Sequence, residues 1–292
     1  MRTPLLFTLA LVLALTAPGL SQEGGQAGRY FTTLFGQLIP SDKAETGFTR
    51  KRVHSDLPDG QVVATPEEIA LAQERLFAAV PTEVEPFFDL FLYISKARSG
   101  ALKQRMFIFE RGADGSVSHR LTWLVSTGRE RAEKYFTATP TGLFQLDRER
   151  MFERWLSRRW DAPMPYAIFW DLTIGSGKAG IAFHASGRRD IPKLGSRASG
   201  GCVRLHPLHA EALFRYVQAR MVGKVPMFPY DAMRGSTVRD GAALRDEKGQ
   251  IVLRDGLKVL FFVEDFDGSP EPVVAPLVAM ANGPEAGYSL MR

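Results

Sequence analysis

The sequence predicts a mainly β domain, a sandwich or barrel-like arrangement of sheets with a few helices around it as α+β extensions. Three observations lead there. Apolar segments of four to nine residues recur at 88–95, 106–110, 120–126, 142–147, 166–174 and 181–184. Turn residues separate them, most clearly Gly112-Ala113-Asp114-Gly115-Ser116, a hairpin signal between two of the segments. Only two places carry a strong helix start, Thr65-Pro66-Glu67-Glu68 and Pro207.

Taken in chain order, residues 1–22 read as an export signal. Arg2 supplies a basic start, residues 5–15 an apolar run too short to span a bilayer, and Ala17, Gly19 and Ser21 the small residues of a processing region. Residues 23–84 form a linker and a helix. The linker is rich in Gly, Thr, Ser and Lys, with one short element expected near 31–39. Thr65 caps the helix, Pro66 takes its first turn and Glu68 completes a capping box. The helix runs to about Val80, with Ile69, Leu76, Phe77 and Val80 as its apolar positions.

Residues 85–230 hold the β-rich domain. Residues 148–160, dense in Arg and aromatics, predict an amphipathic helix that either covers a site or packs its Trp and Phe on the sheet. Gly175-Ser176-Gly177-Lys178 is a turn and not a phosphate loop, because its spacing is wrong and a strand follows it. Pro207 opens a helix to about Arg220, which places Cys202 at a strand-to-helix corner. Residues 231–292 read as a C-terminal extension holding a last apolar strand at 257–264. No later segment is long and apolar enough to span a membrane, so no stable membrane span is expected. The net charge of +5 suits an anionic partner surface, or equally a basic surface kept for solubility. In an exported chain the first reading points to cell wall, anionic lipid or acidic substrate, and not to nucleic acid.

The chemistry concentrates at Cys202, the only cysteine of the chain. A lone thiol in an exported protein has no internal disulfide partner, so nucleophilic catalysis is the leading reading. His184, at the end of a strand-like segment, is the candidate base. Gly200 and Gly201 bare the approach to sulfur and free the backbone for an oxyanion. The helix starting near Pro207 would lower the thiol pKa if its N-terminus faced Cys202. Arg204 adds positive charge suited to a carboxylate. His206 and His209 have a spacing metals use, but with Cys202 they make three ligands and no fourth, so neither a metal nor a cofactor is expected. His54 and His119 read as surface residues, and Arg188, Arg189 and Asp190 as a solvated loop.

Ile181-Ala182-Phe183-His184, followed after fourteen residues by Ser199-Gly200-Gly201-Cys202-Val203-Arg204, resembles the signature of the YkuD-type L,D-transpeptidases. Thr139-Pro140-Thr141-Gly142 and Met164-Pro165-Tyr166 agree in order, and the resemblance covers about residues 88–230. It implies a YkuD-like catalytic domain with Cys202 as nucleophile and His184 as base. Ser199, Gly200, Gly201 and Arg204 would complete the motif, and Met164 and Tyr166 would line the substrate cleft. The chain departs from the family at Gly200, where a histidine is usual, and at Ala185, where glycine is frequent.

The implied reaction is acyl transfer between peptidoglycan stem peptides in the periplasm or cell envelope, with carbapenem-type β-lactams as acylating inhibitors. The residues leave two alternatives open. Water could be the acceptor, giving an L,D-carboxypeptidase or an amidase. The domain could instead bind the wall without catalysis.

Overall fold

The structure is a computed structural model describing residues 60–131, 137–269 and 272. The readings placed on residues 1–59, among them the export signal, the linker and His54, lie outside the described residues.

Thr65 opens helix α1 (Pro66–Ala79). The Thr65 hydroxyl accepts from the Glu68 N–H at 3.3 Å, and the Glu68 carboxylate accepts from the Thr65 N–H at 3.0 Å. This reciprocal pair satisfies two donors that a helix start otherwise leaves open. Helix α2 (Pro207–Arg220) is capped by His206, whose Nδ1 accepts from the Leu208 N–H at 3.4 Å.

Eight strands make the main sheet: β1 (Leu90–Ser95), β2 (Arg105–Arg111), β3 (Val117–Leu124), β4 (Gly142–Phe152), β5 (Ala167–Trp170), β6 (Ala182–Ala185), β7 (Val203–Leu205) and β8 (Val259–Glu264). Their spatial order is β7-β6-β5-β4-β8-β1-β2-β3. Pairing is antiparallel except for β1 with β8 and β6 with β7. The two ends of the sheet meet. Ser126, just past β3, donates its N–H to the Arg204 carbonyl of β7 at 3.0 Å, and the Arg204 N–H returns a bond at 2.9 Å. Of the two expected mainly β arrangements, the observed one is a nearly closed barrel, which leaves few edge groups unpaired.

Two cores flank this sheet. Leu90, Leu92 and Ile94 of β1 join Met106, Ile108, Trp123, Phe144, Trp170, Phe183, Phe261 and the apolar side of α2 in one cluster. Phe91 and Tyr93 face the other way, toward Ala72 and Leu76 of α1. Every residue of β1 and β8 is therefore buried, which explains their continuous apolar run where a half-exposed strand would alternate.

Two expectations fail. Residues 148–160 form no helix: β4 continues to Phe152, and Leu156–Ser157 pairs with Ala162–Pro163 as a short ribbon. Met151 and Phe152 pair with Ile168 and Ala167, so cross-strand partners override the helical spacing. Cys202 also does not sit at a strand-to-helix corner. It leads into β7, and α2 begins only after that strand, five residues on, roughly 15 Å of extended chain. The segment 231–292, read as an extension, supplies β8 to the centre of the sheet between β1 and β4.

Candidate active site

The site lies on the outward face of β6 and β7. His184 is directly paired with Arg204, and Phe183 with Val203. In a parallel pair, facing residues point to the same side and alternate along the strand. Phe183 and Val203 enter the inner core, so His184 and Arg204 face outward, together with Ala182. Cys202 packs on that outward side against the cluster Met164, Ala167, Phe169 and Ala182. The structure thus brings Cys202, His184, Arg204 and Met164 to one surface.

The turn before Cys202 is locked by Ser199, which is fully buried. Its hydroxyl accepts from the Gly201 N–H at 3.1 Å and donates to the Cys202 carbonyl. The Thr139 hydroxyl accepts from the Gly128 N–H and donates to the Gly201 carbonyl, both at 2.8 Å. Gly201 has φ of 120°, and a Cβ there would lie 3.0 Å from the Ala138 carbonyl, so conformation and space both call for glycine. The expectation that these glycines offer free N–H groups to an oxyanion is corrected at Gly201, whose N–H is engaged by Ser199.

His184 is buried, and its Nδ1 lies 2.9 Å from the Ala185 carbonyl. A carbonyl only accepts, so the proton is on Nδ1 and Nε2 is the acceptor. Ala185, the second departure from the family pattern, thereby orients the imidazole through its backbone. Burial pushes the His184 pKa down to about 4. The Ala185 carbonyl opposes this, Arg204 reinforces it and Asp190 opposes it weakly. Half-buried Cys202 points its thiol at the Gly180 carbonyl, with Sγ 3.6 Å from that oxygen. Burial raises its pKa, against smaller lowering effects from the Ala182 N–H, Arg204 and Arg159.

Arg204 is tied to Asp190 at 3.0 Å, so the loop read as solvated holds an ion pair beside the site. The ring of Tyr166 packs on α2, 5.9 Å from the Phe214 ring with Arg215 over its face, so its contacts are with the helix. His209 is fully buried and stacked on Trp123 at 4.5 Å, and His206 caps α2, which gives both histidines structural work. Among the described residues there is no grouping of His, Cys, Asp and Glu suited to a metal. None of their helices is long and apolar enough to cross a membrane. The sequence reading had not assigned individual roles to Thr139, Arg159 and Trp160. Thr139 had a signal, the Thr139-Pro140-Thr141-Gly142 motif, and the other two lay in the Arg- and aromatic-rich run 148–160, which was read as a helix.

Residues 100–239, just under half of the 292, match the family model described as the L,D-transpeptidase catalytic domain, YkuD. Over that segment the chain is similar to the YkuD family. The YkuD segment contains β2 to β7, α2, Cys202 and His184, while β1 and β8 lie outside it. Solved structures with a similar course include an L,D-transpeptidase from Stackebrandtia nassauensis (17% identity, 44% of this chain and 50% of that one, TM-score 0.30). A second is L,D-transpeptidase 3 from Mycobacterium tuberculosis with a faropenem-derived adduct (13% identity, 60% of each chain, TM-score 0.31). A third is the helical cell shape determining protein Pgp2 from Campylobacter jejuni (14% identity, 64% of this chain and 49% of that one, TM-score 0.32). The chain thus spans about half to three fifths of the length of these structures. No curated protein matches it.

Proposed function

We propose that this protein is an exported L,D-transpeptidase that cross-links peptidoglycan in the cell envelope, with Cys202 as nucleophile and His184 as general base. The observation that supports this most is the sharing of one outward face by Cys202, His184 and Arg204, fixed by the β6–β7 register inside the YkuD segment. The acyl donor is a tetrapeptide stem, attacked at the carbonyl on the L-centre of its meso-diaminopimelate. As Sγ bonds to that carbon, the thiol proton passes to Nε2 of His184. The C–N bond to the terminal D-Ala breaks, His184 returns the proton to the departing amine, and a thioester remains on Cys202. The side-chain amine of a second stem attacks the thioester. A new amide forms, the surplus amine proton leaves through His184, and the Cys202 thiol is restored.

The other motif residues take supporting roles. Ser199, Gly200 and Gly201 hold the turn. Arg204, with Arg159, supplies positive charge for a stem carboxylate and for the developing thiolate. Met164 forms the apolar floor beside the sulfur, and Tyr166 braces the adjoining backbone against α2. Carbapenem-type β-lactams present a strained amide carbonyl to the same sulfur and acylate it.

The test is mass spectrometry of muropeptides after incubating the purified protein with tetrapeptide-rich peptidoglycan, with Cys202→Ala as control. Dimers lacking one D-Ala, formed only with Cys202 present, are expected. Shortened monomers without dimers would make the protein a hydrolase. No Cys202-dependent change would overturn the reading. A carbapenem adduct on the parent, absent from Cys202→Ala, is the matching result for inhibition.

A further inference from the structure

Gly200 stands two residues before Cys202, where a histidine is usual in the family that this site resembles. A Cβ placed on it would lie 2.7 Å from Cε2 and 2.8 Å from Cζ2 and Nε1 of Trp160. Carbon atoms do not approach so closely, so the indole of Trp160 rests directly on the bare backbone of Gly200. The Arg129 guanidinium lies over the ring, 5.5 Å from its centroid. Arg129 also donates to the Ala198 carbonyl at 3.3 Å, which anchors it to the loop leading to Ser199. The neighbouring Arg159 is close enough to act on the Cys202 thiol by charge. Trp160 is still 37% exposed, whereas Trp123 and Trp170 are fully buried. A large rigid ring is thus held partly exposed, under the Arg129 guanidinium, on the turn that leads to Cys202.

We propose that Trp160 is a specificity-determining residue, the aromatic wall of the acyl-donor subsite, and that Gly200 is its seat. This rests on the transpeptidase reading above. The aliphatic part of the donor's diamino-acid residue lies along the open indole edge, with its carboxylate toward Arg129. Gly200 and Trp160 act as one device: any side chain at 200 pushes the indole off its seat, so a substitution at either position removes the same wall.

The experiment compares the parent, Trp160→Ala, Trp160→Phe, Gly200→Ala and the Trp160→Ala/Gly200→Ala double variant. Donor tetrapeptide KM and kcat are measured for each, and iodoacetamide labelling of Cys202 confirms an intact thiol. Trp160→Ala and Gly200→Ala are each expected to raise KM about tenfold, with the loss read in KM more than in kcat. Trp160→Phe should recover most of it. The double variant should be no worse than the worse single, because both remove one contact. A KM change below about twofold in Trp160→Ala, or losses that multiply in the double variant, would overturn the proposal. Acrylamide quenching of tryptophan fluorescence decides the seat without turnover. Gly200→Ala must increase quenching, and that increase must vanish in the double variant; no increase also overturns the proposal. A parent that turns over no stem peptide while the quenching result holds would sink the transpeptidase reading and leave the seat standing.

Discussion

Cys202 and His184 are both neutral in the resting site, and burial is the main cause in each. In the proposed mechanism the pair therefore starts as a thiol and an imidazole, not as a preformed thiolate–imidazolium. The rate of Cys202 alkylation by iodoacetamide should keep rising with pH past the free-thiol value of about 8.5. A midpoint near pH 6 would show a preformed ion pair and refute the neutral resting state. His184→Ala should lower turnover about 10²- to 10⁴-fold, the usual scale for a positioned base. A loss below about tenfold would move the base elsewhere.

The same burial has a stability signature. The folded His184 binds its proton only near pH 4, while the unfolded residue binds it near 6.5. His209, pushed down to about 3 by burial, has the same sign. Between those values the unfolded chain holds more protons, so stability falls as pH drops below about 6.5, by up to about 1.4 kcal/mol per pH unit for each histidine. Urea unfolding from pH 7 to 4.5 checks this. A flat profile, or an equal slope in His184→Gln, would remove His184 as a source.

At the scale of elements, the turn from Ser199 to Cys202 shows what positions the sulfur. Its two hydroxyl anchors, Ser199 and Thr139, are fully buried and bond to backbone groups of Gly201, Cys202 and Gly128. Ser199→Ala leaves the Gly201 N–H and the Cys202 carbonyl without that partner, which should cost about 1–3 kcal/mol in chemical unfolding and lower turnover. Unchanged stability would mean that water replaces the hydroxyl. Here the sequence was partly legible. The Thr65 capping box and Pro207 announced both helices because their signals are local, carried by residues within one turn. The strand over 148–152 was not legible, because Met151 and Phe152 take their conformation from Ile168 and Ala167, which nothing in their own spacing announces. Cys202, His184 and Arg204 could be read as a cluster, but the seating of Trp160 on Gly200 could not. It joins positions forty residues apart with no periodicity to link them.

At the scale of the molecule, the segment matched to YkuD does not contain the whole barrel. Residues 100–239 lack β1 and β8, which fill the middle of the barrel between β2 and β4. β8 pairs with β1 over its full length and with β4 from Leu260 to Val263. Phe261 stacks with Phe144 and meets Trp170 and Phe183 edge-on, so removing β8 strips the inner core under the β4–β6 region that carries His184. Each large apolar side chain lost from such a core costs about 3–5 kcal/mol as a single truncation, and a domain's whole stability is about 5–15 kcal/mol. Two missing strands also leave β2 and β4 with open edges. A fragment of residues 100–239 is therefore expected to show no cooperative unfolding transition and no carbapenem labelling of Cys202, whereas residues 60–269 should show both. Cooperative melting of the shorter fragment would mean that the β4–β7 half holds its shape without the central strands, and the site would then owe its geometry to local pairing alone.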